Sequence, residues 1–463
     1  MEHYDFVAIG SGPAGQRAAI QAAKLGARVA LIERRHRIGG VALHTGTIPS
    51  KTLREAILYL TGWRQRSFYG RSYRIKDEIT ADDLHQRLDI TINHEMEILY
   101  DQFARNNVEL IYGTASFDDP HCILTEADDG EIHRVTADKI LIATGTRPRR
   151  PDDIPFDDMR ILDADSVLKA RTIPRSLTII GAGVIGVEYA AMFNALGVDV
   201  TLVNEHETML PFIDREIMEE FIHYQRENNM RLEMGEKITA VKHNGDSVTT
   251  ELVSGRQITT EALIFAAGRI GCTSALRLEN AGLQADDRHN LKVDKHYRTV
   301  VEHIYAAGDL IGFPSLASTS MEQGRQAALH ALGHGGENSL QHIPYGIYAV
   351  PEISMIGMTE QQLREQNIAF EAGVARLRET ARGQILGLHE GILKLLVAVD
   401  DQRILGVHVV GEGATELVHI GQAVMMMGGK LDYFVNTVFN YPTLAEAYKV
   451  AALDAWNRLS KKG

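Results

Sequence analysis

Three observations predict an α/β fold with two Rossmann-like dinucleotide-binding domains, followed by an α+β C-terminal part. A Gly-rich turn, Gly10-Ser11-Gly12-Pro13-Ala14-Gly15, joins a short apolar run to a helical stretch, and Gly181-Ala182-Gly183-Val184-Ile185-Gly186 does the same later in the chain. Each unit closes on an apolar run ending in small residues, Ala143-Thr144-Gly145 in the first and Ala266-Ala267-Gly268 in the second. A repeated unit of this kind is much more specific than a lone G-x-G-x-x-G. From Ile343 onward, apolar residues alternate or run in short segments, the pattern of an antiparallel sheet.

Taken in order, residues 4–9 form a buried parallel strand, a helix runs to about Leu25, and residues 28–32 form a second strand that ends in Glu33. In such a unit Gly10 makes the turn, Gly12 lets a pyrophosphate approach the backbone, and Gly15, beside Ala14, lets helix and strand pack closely. The helix N-terminus offers N–H groups and a positive dipole end to the phosphates. Glu33 is placed to accept a ribose hydroxyl.

Next comes Gly39-Gly40-Val41-Ala42-Leu43-His44-Thr45-Gly46-Thr47-Ile48-Pro49-Ser50-Lys51, Gly-rich and then helical, with Pro49 suited to a first turn. A charged helix is expected over 82–106. Gly113-Thr114-Ala115 is read as closing a strand, and Lys139 to Gly145 as another strand and its turn. Arg147-Pro148-Arg149-Arg150-Pro151 reads as a solvated linker rather than an anion site, because its prolines and charges do not continue a sheet.

In the second unit, strands are expected at 177–180 and 199–203, with a helix to about Leu196 between them. Asn204 follows Gly186 at the interval at which Glu33 follows Gly15. The second unit therefore lacks the carboxylate that repels a 2′-phosphate, and it has no obvious arginine to select one. An amide can bond to a hydroxyl or a phosphate, and Asn204 reads equally as a neutral strand end. Glu205 and His206 pull in opposite electrostatic directions. Val184 and Ile185 leave room for a ring or serve helix packing.

Ile304 to Gly312 carries Asp309 in a loop after an apolar run, and a helix is expected over 316–332, with Ala317 at its start. Strands are expected at 347–350, 353–356, 393–399 and 404–410, and helices at 414–427 and 443–459. The run Met425-Met426-Met427 is read as helix core.

The net charge of −13 argues against a non-specific nucleic-acid or anionic-membrane binder. Cys122 and Cys272 lie far apart outside any C-x-x-C pattern, and are expected to be two buried free thiols in a reducing compartment. The N-terminal residues show no basic segment or long apolar run, so a cytoplasmic protein is expected. The histidines fall in no metal-ligand spacing, so no metal site is read.

Nearly the whole chain resembles the pyridine nucleotide–disulfide oxidoreductases, from the first fingerprint to Asn440-Tyr441-Pro442-Thr443-Leu444-Ala445-Glu446. The segment Gly39–Lys51 is similar to their redox-active G-G-x-C-x-x-x-G-C-I-P-S-K, but Ala42 and Thr47 replace both cysteines. Tyr441 stands where the family carries a catalytic His before the proline. The resemblance implies an FAD-binding domain at 1–148 and 273–342, an NAD(P)-binding domain at 149–272, and a dimerisation domain at 343–463, hence a homodimer.

It also implies FAD-binding roles for Gly10, Gly12, Ala14, Gly15, Glu33, Gly40, Thr47, Lys51, Ala115, Gly145, Asp309 and Ala317. NAD(H) or NADP(H) falls to Gly181, Gly183, Val184, Ile185, Gly186, Asn204 and Gly268. Lys51 and Glu188 are implied as a catalytic pair near the flavin N5. Glu446, without its His, is read as structural. Within the superfamily the soluble pyridine nucleotide transhydrogenases are most similar, through Thr47-Ile48-Pro49-Ser50-Lys51, Gly346 to Ser354 and Phe439 to Thr443. That group usually keeps a cysteine at the Ala42 position.

The expected chemistry is ping-pong: a nicotinamide gives hydride to the flavin, and a second nicotinamide takes it back. Two rivals are an NAD(P)H:acceptor reductase passing electrons to a quinone, dye or oxygen, and a flavin-binding protein without turnover.

Overall fold

The computed structural model describes residues 2–70, 72–335 and 342–461. The chain divides into two compact units, one of Met1–Leu53, His85–Arg149 and Gly268–Leu340, the other of Arg54–Leu84, Arg150–Ala267 and Gln341–Gly463. The boundary expected at 342/343 adjoins residues 336–341, which lie outside the described residues.

The first unit is built on a sheet whose parallel strands run Glu109–Tyr112, Val29–Glu33, Glu2–Ile9, Ile132–Ile142 and Ile304–Ala306. The first half of Ile132–Ile142 also pairs antiparallel with Cys122–Glu126, which pairs with Thr114–Asp119. Val29–Glu33 is buried at every position, as a strand covered on both faces must be. The helices Pro13–Lys24 and Ala317–Ala331 pack against each other in this unit. A Cβ on Gly324 would sit 2.0 Å from the Ala14 carbonyl oxygen, so that crossing requires glycine. The charged helix forms over Ala81–Arg105.

The second unit repeats the pattern with a five-stranded parallel sheet in the order Arg231–Met234, Asp199–Asn204, Ser176–Ile180, Ala262–Phe265, Ile161–Asp163. In both units the strand before the Gly-rich turn lies between the strand that ends in Glu33 or Asn204 and the strand that leads to the small-residue turn. The rest of the second unit holds a five-stranded antiparallel sheet, Tyr345–Ile347, Ile353–Gly357, Ile404–Val410, Ile392–Ala398 and Phe370–Arg376. The helices Ala414–Met426 and Glu446–Ser460 share one hydrophobic core with it, through Val418, Ala451 and Leu395 among others.

Several expectations are corrected. Gly113 separates two strands instead of closing one: at φ 155° it donates its N–H to the Glu33 carbonyl, and a new strand starts at Thr114. Thr146–Pro148 is a strand, paired antiparallel with Arg269–Gly271, so the linker begins later than expected. Arg150 is exposed, as expected of a linker charge, but it is not unpaired: its Nε bonds to the buried Asp163 carboxylate at 2.6 Å. Val350 falls outside the sheet, and Phe370–Arg376 was not anticipated. Met425 is buried, but Met426 and Met427 are 53% and 87% exposed, so only one of the three is core. Cys122 is buried and Cys272 half-buried, and neither is in a disulfide.

Candidate functional site

The first fingerprint follows the expected mechanics. Gly10 turns at φ 104°, and a Cβ there would meet the Ala143 carbonyl oxygen at 2.4 Å. A Cβ on Gly15 would lie 1.9 Å from the Gly10 carbonyl oxygen, so the helix can sit against the turn only with glycine. Gly12 has φ −66°, which any residue adopts, and a Cβ there would meet nothing within 4 Å. Its lack of a side chain therefore serves something other than protein packing. That is the signature of a backbone kept bare for a phosphate at a helix N-terminus.

Glu33 is 8% exposed and holds this loop together. Its Oε2 accepts from the Ser11 N–H at 3.0 Å and the Ser11 hydroxyl at 2.5 Å, and its Oε1 from the Arg35 N–H at 3.0 Å. The Ser11 hydroxyl oxygen accepts in turn from the Gly39 N–H at 2.9 Å. The segment Gly39–Lys51 is thus tied to the phosphate turn, and a Cβ on Gly40 would approach Gly12 Cα to 2.8 Å. That segment forms two helices, Gly40–His44 and Thr47–Leu60, so Thr47 starts the second and Pro49 lies in its first turn. Lys51, one turn in, donates to the Ser50 hydroxyl at 3.3 Å.

Far along the chain from the fingerprint, Gly308 N–H donates to Gln323 Oε1 at 2.9 Å, and a Cβ on Gly308 would touch Ala14 Cβ at 3.2 Å. Asp309 is thereby brought into this unit beside the fingerprint helix. Burial pushes its carboxyl above the ordinary carboxylate value, opposed by Arg269, Ser320 and Thr146. Gly145, at φ 65°, has open space where a Cβ would stand. Ala317 is the first residue of its helix. Ala115 pairs with Thr125 in the antiparallel ribbon, and its methyl lies in the core with Ile9 and Ile32. Thr45 and Thr144 have buried hydroxyls with no hydrogen-bond partner among the described residues. Bare glycine backbone, orphaned hydroxyls and a half-buried carboxyl fit a polyhydroxylated dinucleotide such as FAD.

The second fingerprint copies the first. Gly181 has φ 102°, and a Cβ on Gly186 would lie 1.8 Å from the Gly181 carbonyl oxygen. Gly183 has φ −76° and, like Gly12, open space at its Cβ position. Val184 and Ile185 are half-buried at the N-terminus of the helix Val184–Leu196. Glu188, 5% exposed on that helix, accepts from the Tyr348 N–H at 2.9 Å. Asn204 Oδ1 accepts from the Ala182 N–H at 3.0 Å, and its Nδ2 donates to the carbonyls of His206 and Thr208 at 2.8 and 3.3 Å. Both amide donors are spent, which corrects the expectation that this amide could donate to a phosphate. Gly268, at φ 104°, lies on the chain just after this unit, in the first unit's third segment.

Sequence reasoning missed Ser11, Gln323, Gly324 and Gln16, whose Nε2 donates to the Ser11 carbonyl at 2.7 Å. Ser11 and Gln323 are 0% and 3% exposed, and only pairing across long sequence separations reveals their roles. Among the described residues no group of His, Cys, Asp and Glu could hold a metal ion, and no helix is long and apolar enough to cross a membrane.

Residues 4–324 match the family described as pyridine nucleotide-disulphide oxidoreductase, and residues 343–452 match its dimerisation domain. A soluble pyridine nucleotide transhydrogenase from Mycobacterium tuberculosis is 52% identical over 99% of this chain and 98% of its own. One from Klebsiella pneumoniae is 43% identical over 98% of each. Among solved structures, LpdA from M. tuberculosis superposes with a TM-score of 0.89 at 27% identity, over 98% of this chain and 99% of its own. The HOCl-induced flavoprotein disulfide reductase RclA from Escherichia coli gives 0.87 at 27% identity, over 97% and 99%.

Proposed function

Because the chain belongs to the pyridine nucleotide-disulphide oxidoreductases, we propose that it is an FAD-dependent NAD(P)+ transhydrogenase that works without thiols. The observation that carries this reading is the pair of matching cradles at Gly12 and Gly183, combined with a sulfur-free segment at the first. FAD, when bound, supplies reversible two-electron hydride exchange with nicotinamides.

The residues of this chain do the rest. The N-termini of the helices Pro13–Lys24 and Val184–Leu196 aim N–H groups at phosphates. Ala42 carries a methyl and Thr47 a hydroxyl, and neither can cycle between dithiol and disulfide. Tyr441 replaces the base that would serve such thiols, and Glu446 is left with a buried Oε2 that has no hydrogen-bond partner among the described residues. Hydride exchange between nicotinamides needs neither a nucleophile nor a proton relay, so both losses are tolerated. Glu188, fixed by the Tyr348 N–H, and Lys51 are assigned to the nicotinamide side. The dimerisation-domain match supports a homodimer.

Anaerobic titration of the purified yellow protein tests this. NADH or NADPH should bleach the flavin band, an oxidised nicotinamide analogue should restore it, and iodoacetamide should change neither rate. A flavin that stays oxidised, or one that is reoxidised only by a quinone, overturns the proposal.

A further inference from the structure

The second unit contains a cavity of about 700 Å³, within the range of small-molecule sites. Asn194 lies on its wall, near the end of the helix Val184–Leu196. The nucleotide cradle is at the start of that helix, about 15 Å away along its axis at 1.5 Å per residue. The cavity is therefore a separate site within this unit. Leu58, Trp63, Phe68 and Leu388 give it an apolar body, and Arg66 and Tyr224 give it polar groups.

Arg66 sets the chemistry. Its guanidinium lies 4.5 Å from the centre of the Trp63 ring. Its Nε and Nη2 are buried and have no acceptor among the described residues. Those two nitrogens form one edge of the guanidinium, the edge that takes both oxygens of a carboxylate. Burial, reinforced by Arg74 and only partly offset by Tyr224, lowers the Arg66 pKa to about 10. The other arginines on the wall are satisfied. Arg54 pairs with Glu55 at 2.6 Å and Glu352 at 3.2 Å, and Arg64 with Glu412 at 2.8 Å.

The surroundings restrict the ligand further. Glu390 also lines the cavity, and burial together with Glu220 and Glu227 pushes its carboxyl above the ordinary value. One further negative charge is matched by Arg66, but a polyanion would be repelled. We propose that this cavity binds a small organic monocarboxylate with a planar apolar body, its carboxylate on the Nε–Nη2 edge of Arg66 and its body against Trp63, Phe68 and Leu58.

Trp63 supplies the probe, because the chain has only one other tryptophan, Trp456. In FAD-loaded Trp456→Phe protein, Trp63 fluorescence is titrated with 3-phenylpropionate and with 3-phenylpropan-1-ol, which shares its body but not its charge. The carboxylate should bind about tenfold more tightly or better, the ratio expected of a charge-assisted pair. Arg66→Met should bring the two affinities together, and Arg66→Lys should keep only part of the difference, because a point charge cannot form the fork. If Arg66→Met does not yield folded yellow protein, Arg66→Lys alone decides: undiminished preference for the carboxylate overturns the proposal. Equal affinities in the starting protein, or no saturable change with either compound, also overturn it. No nicotinamide is present, so the result is independent of hydride transfer.

Discussion

Asn204 Oδ1 accepts the Ala182 N–H at 3.0 Å, the same bond at the same length that Glu33 Oε2 makes with the Ser11 N–H. The amide thus does the loop-holding work of the carboxylate without its charge, and it keeps a lone pair for a ribose hydroxyl. A carboxylate here would repel a 2′-phosphate by several kcal/mol in a partly shielded site, less after screening. Asn204→Glu should therefore raise KM for NADPH by about tenfold or more, and that for NADH much less. Equal loss for both nucleotides would remove Asn204 from the ribose contact.

On the proposed function, Lys51 favours negative charge on the reduced flavin and Glu188 serves the nicotinamide. Removing one such electrostatic contact typically costs about 100-fold in rate. Lys51→Met should retain FAD while slowing anaerobic bleaching by NADH about 10- to 100-fold, measured by stopped flow. If the two residues act together, Glu188→Gln should add little on top of Lys51→Met. Fully additive losses would argue that they act separately.

Lys394 is 1% exposed and bonds to Asp214 at 2.8 Å, Glu216 at 2.9 Å and Glu360 at 2.8 Å. Burial alone would raise the Asp214 and Glu360 carboxyls, but Lys394, with His408 beside Asp214, holds both below their ordinary values. Burial alone would lower the lysine, and the carboxylates hold it up. His408 is lowered by burial and donates from Nε2 to the Met358 carbonyl at 2.9 Å.

The signs follow. Asp214 and Glu360 stabilise fully above about pH 4, and lose that contribution as pH falls through their lowered folded values. Lys394 contributes fully below about pH 10.4, and loses its contribution as pH rises through its raised folded value. The unfolded His408 takes a proton near pH 6.5 and the folded one resists it, so stability falls below about pH 6.5. Lys394→Met should cost about 3–5 kcal/mol at pH 7, because three carboxylates lose their cation. Denaturant melts should show that deficit shrinking towards pH 4, and His408→Gln should remove the loss that begins near pH 6.5. A deficit independent of pH would show that packing, not charge, is what Lys394 provides.

What was legible in the sequence is what depends on neighbours along the chain. The glycines at 10, 12 and 15 and at 181, 183 and 186, and the terminal residues Glu33 and Asn204, are set by turn and strand geometry within one βαβ unit. What was hidden depends on distant pairing. Pro148 looked unfit for a sheet, yet Thr146–Pro148 pairs along an edge with Arg269–Gly271, where a missing N–H is tolerated. Gly324 looks like an ordinary helix glycine until Ala14 is packed against it. Phe370–Arg376 fully buries only Gly373 and Ala375, with Phe370, Ala372 and Val374 half-buried, and it forms a strand because it pairs along its whole length with Ile392–Ala398.

Gly12 and Gly183 give the sharpest separation of cofactor from substrate. Both have negative φ, −66° and −76°, so alanine costs no backbone strain at either position. A Cβ at either position meets no protein atom within 4 Å, so folding stability should be almost unaffected. The methyl intrudes only on what approaches the bare backbone. Gly12→Ala should therefore yield protein that melts like the FAD-free wild type, yet binds FAD at least about tenfold more weakly. Gly183→Ala should stay yellow and be reduced normally by dithionite, while KM for both NADH and NADPH rises. Gly15→Ala and Gly186→Ala serve as the contrast, since their Cβ atoms would lie 1.9 and 1.8 Å from the carbonyl oxygens of Gly10 and Gly181 and must disturb the fold itself. If Gly12→Ala retains full FAD affinity, no phosphate passes over that backbone, and the first cradle has been assigned to the wrong ligand.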